Sequence, residues 1–178
     1  MTKMNDENLE ETTRQLVIQI KEALIERGEM MATAESCTGG LIASDIVNEP
    51  GSSAVLAGGI VAYQNEVKAA LLDVPQDVLD KFGAVSEQTV KAMAEGARKK
   101  FNCEWAVATS GIAGPTGAEP GKPVGFVWMC VASSLQNEAF CKIFEGNRHK
   151  IREKAVYSVL DKLLFLINKQ KSTCTNEH

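Results

Sequence analysis

Apolar side chains at Leu9, Leu16, Ile20 and Leu24 fall on one face of a helix. The next apolar stretch, residues 30–35, is too short for a helix and reads as a strand. That switch of period recurs along the chain and is what most limits the fold. Gly28 stops the first helix. After the short strand come a turn at 36–40, a helix at 41–47 and a break at Pro50–Ser53. A strand over 54–63 and a short helix over 65–72 follow. Ser86 is a suitable N-cap for a helix whose apolar face is Val90, Met93, Ala94, Ala97 and Phe101. Residues 104–110 read as a strand, and 124–133 with 138–144 as a hairpin. A last helix is expected over 148–167, with Ile151, Ala155, Val159 and Leu163 four apart, before a frayed tail. Alternating helices and strands interrupted by a hairpin predict an α/β fold. Its sheet should be mixed but mostly parallel, with helices on both faces.

The length of 178 residues suits a single domain, with a core over about residues 10–167. The net charge of −4 argues against a nucleic-acid module, which normally presents a basic face. The polar, acidic start reads as no signal peptide, and no apolar run reaches the roughly 18 residues of a membrane span. Five cysteines, odd in number and without a C-x-x-C pair, suggest neither a disulfide framework nor a zinc site. Buried, reduced thiols in a cytoplasmic protein are expected, and no metal or cofactor.

Four stretches could carry chemistry. In AESCTGG (34–40) a serine sits where a strand turns into a helix, with Thr38, Gly39 and Gly40 behind it. Backbone N–H groups at a helix start can stabilise negative charge beside such a serine, and glycines leave room to approach it. The same residues would serve equally to cap a helix and form a turn. A nucleophilic serine needs a base. The chain's two histidines are His149, far along the sequence, and His178, the last residue, so neither can be placed beside Ser36. A lysine kept neutral by burial is the remaining choice, which directs attention to Tyr63 and Lys68 in AYQNEVK (62–68). If the strands before Ser36 and Tyr63 run parallel, both residues open onto one crevice at the strand ends.

The loop GIAGPTGAEPGKP (111–123) holds four Gly and three Pro and follows another strand. Thr109, Ser110 and the backbone near Gly111 and Gly114 could reach the same crevice. The last stretch, GNRHKIR (146–152), places Arg148, Lys150 and Arg152 at a helix start. Cations there oppose the helix dipole, a cost that a bound anion such as phosphate would offset. Solvent-exposed charge is the plainer alternative.

AESCTGG, GSSA, AYQNEVK, GAVSEQT, SGIAGPTG, KPVG and GNRHKIR, in that order, resemble the CinA C-terminal domain family. The resemblance covers about residues 10–167. It implies a three-layer α/β/α sandwich and hydrolysis of nicotinamide mononucleotide (NMN) to nicotinate mononucleotide and ammonia. By motif it makes Ser36 and Lys68 a catalytic dyad with Tyr63 beside them. It places Glu35, Thr38, Gly39, Gly40, Thr109, Ser110, Gly111, Gly114, Arg148 and Arg152 around the nucleotide. It also implies a homodimer. The N-terminal domain of full-length CinA proteins has no counterpart in these residues, so any activity housed there is expected to be missing. A catalytically inactive nucleotide-binding or interaction module of the same fold stays open as an alternative. A DNA-directed role suggested by the family name fits poorly with the acid charge.

Overall fold

The computed structural model describes residues 8–174. In chain order the elements are α1 (Leu9–Arg27), β1 (Met31–Glu35), α2 (Leu41–Val47), β2 (Leu56–Val61), α3 (Asn65–Leu72), α4 (Gln76–Phe82), α5 (Glu87–Phe101), β3 (Trp105–Gly111), β4 (Phe126–Ser133), β5 (Asn137–Ile143) and α6 (Arg148–Cys174). A single 3₁₀ turn, Ser52–Ala54, precedes β2. The strands form one sheet in the order β2-β1-β3-β4-β5. β1 pairs parallel with β2 and β3, while β4 pairs antiparallel with β3 and β5. Four of the five strands therefore share one direction, and only β4 is reversed.

Alternation along each strand builds two unlike faces. One face carries Met31, Trp105, Val107, Val127, Met129 and Val131, packed with α1, α2 and α6. The other carries Ala32, Ala34, Ala106, Ala108 and Ala132 and lies under α5. Small residues there let α5 sit close to the sheet. Gly96 lets it sit equally close to α3, since a Cβ at this position would lie 1.9 Å from the Leu72 carbonyl oxygen. That contact fixes the short helix bearing Lys68.

Local signals account for most boundaries. Gly28, at φ 63°, closes α1 by donating to the Ile25 carbonyl. Ser86 caps α5 by accepting from the Thr89 amide. Asn147 Oδ1 accepts from the Lys150 amide at the start of α6. The helix at 76–82 was not foreseen, because seven residues after Pro75 are too few to establish a period. α6 runs past residue 167 to Cys174, and β4 starts two residues later than expected, after Gly125 at φ 92°. Cys37, Cys103 and Cys130 are buried free thiols as expected, but Cys141 is exposed. It lies on the edge strand β5, which has no neighbour on its outer side among the described residues. Among the described residues no helix is long and apolar enough to cross a membrane, and no group of side chains could hold a metal ion.

Asp45, on α2, faces a depression between α1 and α6 that also holds Glu10, Glu49 and Glu153. Burial, and then the charges of Glu35, Glu153 and Glu10, push its carboxyl up from 3.8 to about 6. A carboxyl whose folded pKa is raised favours folding while protonated. Its contribution falls as pH rises from 3.8 through about 6 and stays low above that. Asp45→Asn is therefore expected to raise Tm at pH 8 by roughly 2–4 °C and to leave it unchanged at pH 4, in melts followed by circular dichroism. An equal shift at both pH values would refute the assignment.

Candidate active site

Because β1 and β2 run parallel, Ser36 and Tyr63 both emerge past the same C-terminal ends of the strands. The Ser36 amide donates to the Thr109 carbonyl (3.0 Å), continuing the β1–β3 pairing by one residue and fixing the serine's backbone. Lys68 enters from α3 with 1% of its surface exposed, while Ser36 keeps 8%. Lys68 Nζ lies 3.2 Å from Ser36 Oγ, 2.9 Å from the Ala62 carbonyl oxygen and 3.0 Å from the Tyr63 carbonyl oxygen.

Three neighbours suit either protonation state. An ammonium would donate to all three. A neutral amine would keep two N–H bonds on the carbonyls and turn its lone pair to the Ser36 hydroxyl. Burial pushes the Lys68 pKa below its ordinary 10.5, against smaller raising effects from Cys37 and Glu66. The neutral form is thereby favoured over that of a surface lysine. The expectation that lysine and serine meet holds in the geometry.

Tyr63 is placed differently from the expected relay. Its side chain is 59% exposed, and its hydroxyl accepts from Arg148 Nη2 (3.1 Å) rather than contacting Lys68. Its backbone carbonyl is what holds the lysine. No tyrosine hydroxyl stands between Lys68 and Ser36, which contact directly.

Glu35 is also placed differently. It was expected beside the nucleotide but is fully buried. Its carboxylate accepts from the amides of Gly40 (2.9 Å), Ile42 (3.1 Å) and Ala43 (3.0 Å) and from the Thr38 hydroxyl (2.7 Å). It thus occupies the N-terminus of α2, where an anion is stabilised by unpaired amides. Gly39 and Gly40 adopt φ 61° and 93°, which glycine takes without strain. Their amides are spent within the turn, that of Gly39 on the Ser36 carbonyl and that of Gly40 on Glu35. The Leu41 amide is spent on the Thr38 carbonyl. Of the remaining turn residues Thr38 is wholly buried, and only Cys37 lines the cleft, its amide also near its own sulfur.

Thr38 and Thr109 are wholly buried with their hydroxyl oxygens 2.7 Å apart, and Ser110 donates to the Ala84 carbonyl (2.7 Å). These three side chains, also expected around the substrate, instead brace the floor. The cleft itself measures about 180 Å³ and is lined by Cys37, Tyr63, Arg148 and loop residues that include Gly111, Ile112, Gly114 and Thr116. Sequence reasoning named Gly111, Gly114 and Arg148. It passed over Ile112, Ala113, Thr116 and Gly117, although all lie in the Gly/Pro loop it marked. Arg148 donates from Nη1 to the Gly114 carbonyl (2.8 Å) and from Nη2 to Tyr63, so it joins three walls of the cleft. Arg152 does not line it. Its Nε (3.2 Å) and Nη2 (2.5 Å) both donate to the Thr38 carbonyl, which places the guanidinium on the turn rather than in the cleft wall. Lys150 and His149 pair with Glu153 on α6 itself. Cys37 adjoins the serine, but burial pushes its thiol up to about 11. It stays protonated near neutrality and is no rival nucleophile.

Fold and site together define a three-layer α/β protein with a buried serine–lysine pair at the C-terminal ends of its parallel strands. The chain belongs to the CinA C-terminal domain family, whose model matches residues 13–167. It is 46% identical over 140 residues to a CinA-like protein of Synechococcus, covering 78% of this chain and 33% of that protein. It is 45% identical over 161 residues to one of Thermotoga neapolitana, covering 90% and 37% respectively. The chain thus spans about a third of the length of the curated relatives it matches. Among solved structures it resembles the competence/damage inducible protein CihA from Agrobacterium tumefaciens, with a TM-score of 0.84 and 38% identity over 88% of this chain and 96% of that one. A CinA superfamily protein from Escherichia coli superposes with a TM-score of 0.84 at 30% identity, covering 93% and 99%.

Proposed function

We propose that this chain hydrolyses the carboxamide of NMN to nicotinate mononucleotide and ammonia, like the stand-alone deamidases of the PncC type. The observation that carries this reading is the 3.2 Å contact between Lys68 Nζ and Ser36 Oγ, held by two backbone carbonyls and buried from water. Neutral Lys68 takes the Ser36 proton as Oγ bonds to the carboxamide carbon. The oxyanion is received at the amide of Cys37, the residue of the turn that lines the cleft. The C–N bond breaks, the Lys68 ammonium protonates the leaving nitrogen, and ammonia departs. Water then attacks the acyl-enzyme and gives a proton to Lys68. The Oγ–C bond breaks, Ser36 recovers its proton, and nicotinate mononucleotide leaves. No step calls on a metal or cofactor.

A cleft of about 180 Å³ is smaller than the roughly 300–1,000 Å³ of pockets that enclose drug-sized ligands. It receives the pyridine carboxamide, and the ribose phosphate lies along the open side toward Arg148, the guanidinium in its wall. The protein works in the cytoplasm as a homodimer, with no nucleic-acid or membrane partner, in keeping with its acid charge.

The test is ammonia release from NMN by the purified chain, with Ser36→Ala as control. Binding of NMN without turnover would favour the inactive nucleotide-binding module instead. A pH profile adds a sharper check. Activity should rise with pH as Lys68 loses its proton, with a midpoint below 10.5. The negative charge of Glu66 holds the Lys68 proton on, so Glu66→Gln should move this limb to lower pH. A limb that stays put or moves upward would contradict the assignment of Lys68 as base.

A further inference from the structure

We infer that Arg152 is a positioning residue for the nucleophile turn and not a ligand of the substrate. The inference rests on the Ser36–Lys68 reading above and extends it to a residue outside the cleft. Thr38 stands two residues after Ser36 and is pinned from four elements. Its hydroxyl donates to Glu35 at the end of β1 and lies 2.7 Å from the Thr109 hydroxyl of β3. Its carbonyl accepts from both Nε and Nη2 of Arg152, on α6, and from the Leu41 amide that begins α2. Arg152 is 114 residues away in sequence and supplies the only charged donor on that carbonyl among the described residues. Its guanidinium lies against Gly39, where a Cβ would sit 3.5 Å from Nη2.

The turn between Ser36 and α2 is thus clamped between a carboxylate beneath it and a guanidinium outside it. That clamp fixes where Ser36 Oγ and the Cys37 amide point. A second effect follows from charge. Arg152 lowers the Cys37 thiol's pKa, by less than burial and the Glu35 charge raise it, so its field offsets part of the opposition to negative charge at this turn. The oxyanion would form in the same place. Arg148 is one helical turn earlier on the same face of α6 and does a different job, forming the cleft wall. Two basic residues that look alike in GNRHKIR are therefore assigned different tasks by what their guanidinium groups reach.

The two readings of Arg152 separate by kinetics. If it positions the turn, Arg152→Gln lowers kcat for NMN by roughly 10- to 100-fold with KM little changed, because a misplaced nucleophile loses transition-state stabilisation. Arg152→Lys recovers part of the loss, since an ammonium restores the charge but not the two-pronged contact. A second readout removes the nucleotide altogether. Sulfonylation of Ser36 by phenylmethanesulfonyl fluoride forms an Oγ–S bond, expels fluoride and involves no phosphate. Its rate, read by intact mass, should fall in Arg152→Gln alongside kcat. A raised KM with unchanged kcat and a wild-type labelling rate would overturn the inference and return Arg152 to the substrate. If Arg152→Gln fails to fold, Arg152→Lys carries the comparison with the same two outcomes. If wild type labels but releases no ammonia from NMN, the deamidase reading fails, and the labelling rates of the variants still decide the role of Arg152. Failure of wild-type Ser36 to label would overturn both.

Discussion

Lys68→Ala is expected to abolish ammonia release from NMN as completely as Ser36→Ala, each by roughly 10⁴-fold or more. Removing the serine removes the bond-forming oxygen. Removing the lysine leaves a hydroxyl with no other base in contact, since neither Tyr63 nor His149 reaches Ser36 among the described residues. The two should not add, because members of one catalytic unit fail together, and Ser36→Ala/Lys68→Ala should be no worse than either alone. The distinguishing arm is binding. Calorimetric titration should find NMN bound to Ser36→Ala with nearly wild-type affinity, because a small hydroxyl at the edge of the cleft contributes little to ground-state contacts. Substantial turnover in Lys68→Ala would sink the dyad outright. Loss of both binding and turnover in Ser36→Ala would mean that Ser36 holds the substrate.

The second large effect concerns stability. Glu35→Ala removes the acceptor for three helix amides and the Thr38 hydroxyl, all in a fully buried site. Stranding buried donors and opening a cavity should cost about 3–5 kcal/mol, a Tm loss of roughly 10 °C for a chain of this size. Glu35→Gln keeps one acceptor oxygen but points an amide N–H₂ at other donors, so it should fall between wild type and alanine. Chemical denaturation followed by circular dichroism measures both. A loss below about 1 kcal/mol in Glu35→Ala would show that water replaces the carboxylate and that the turn does not depend on it. The variant also tests function, because the turn held by Glu35 is the one that presents Ser36.

These two residues show how far the sequence carries the argument. Ser36 is readable as a strand-end serine; the lack of a placeable histidine directs attention to a lysine, and the family resemblance is what singles out Lys68. Periodicity could supply the strand and helix around each, because helix and strand repeat at different intervals. It could not supply a partner 32 residues away. Glu35 illustrates the opposite outcome. An acid next to a nucleophile reads as a substrate contact in one dimension. The strand pleat turns it inward, under the start of α2, where unpaired amides collect.

Tyr63 and Arg152 follow the same logic. The order of strands puts Tyr63 at the crevice, yet its hydroxyl turns outward to Arg148. The helical repeat puts Arg148 and Arg152 on one face of α6. A rise of 1.5 Å per residue separates them by about 6 Å along the axis, enough for one to meet the loop and the other the turn. The helix at 76–82 was illegible for a simpler reason, since its seven residues owe their form to packing on α5.

By itself the sequence determined the α/β layering, the Gly/Pro loop and the strand-end position of Ser36, because each is written in local spacing or in residue type. Only the tertiary structure decided which polar groups face the cleft and which are spent holding it. That choice is made by long-range hydrogen bonds, such as those from Arg152 to Thr38 and from Lys68 to Ser36, and no local pattern encodes where a distant donor will land.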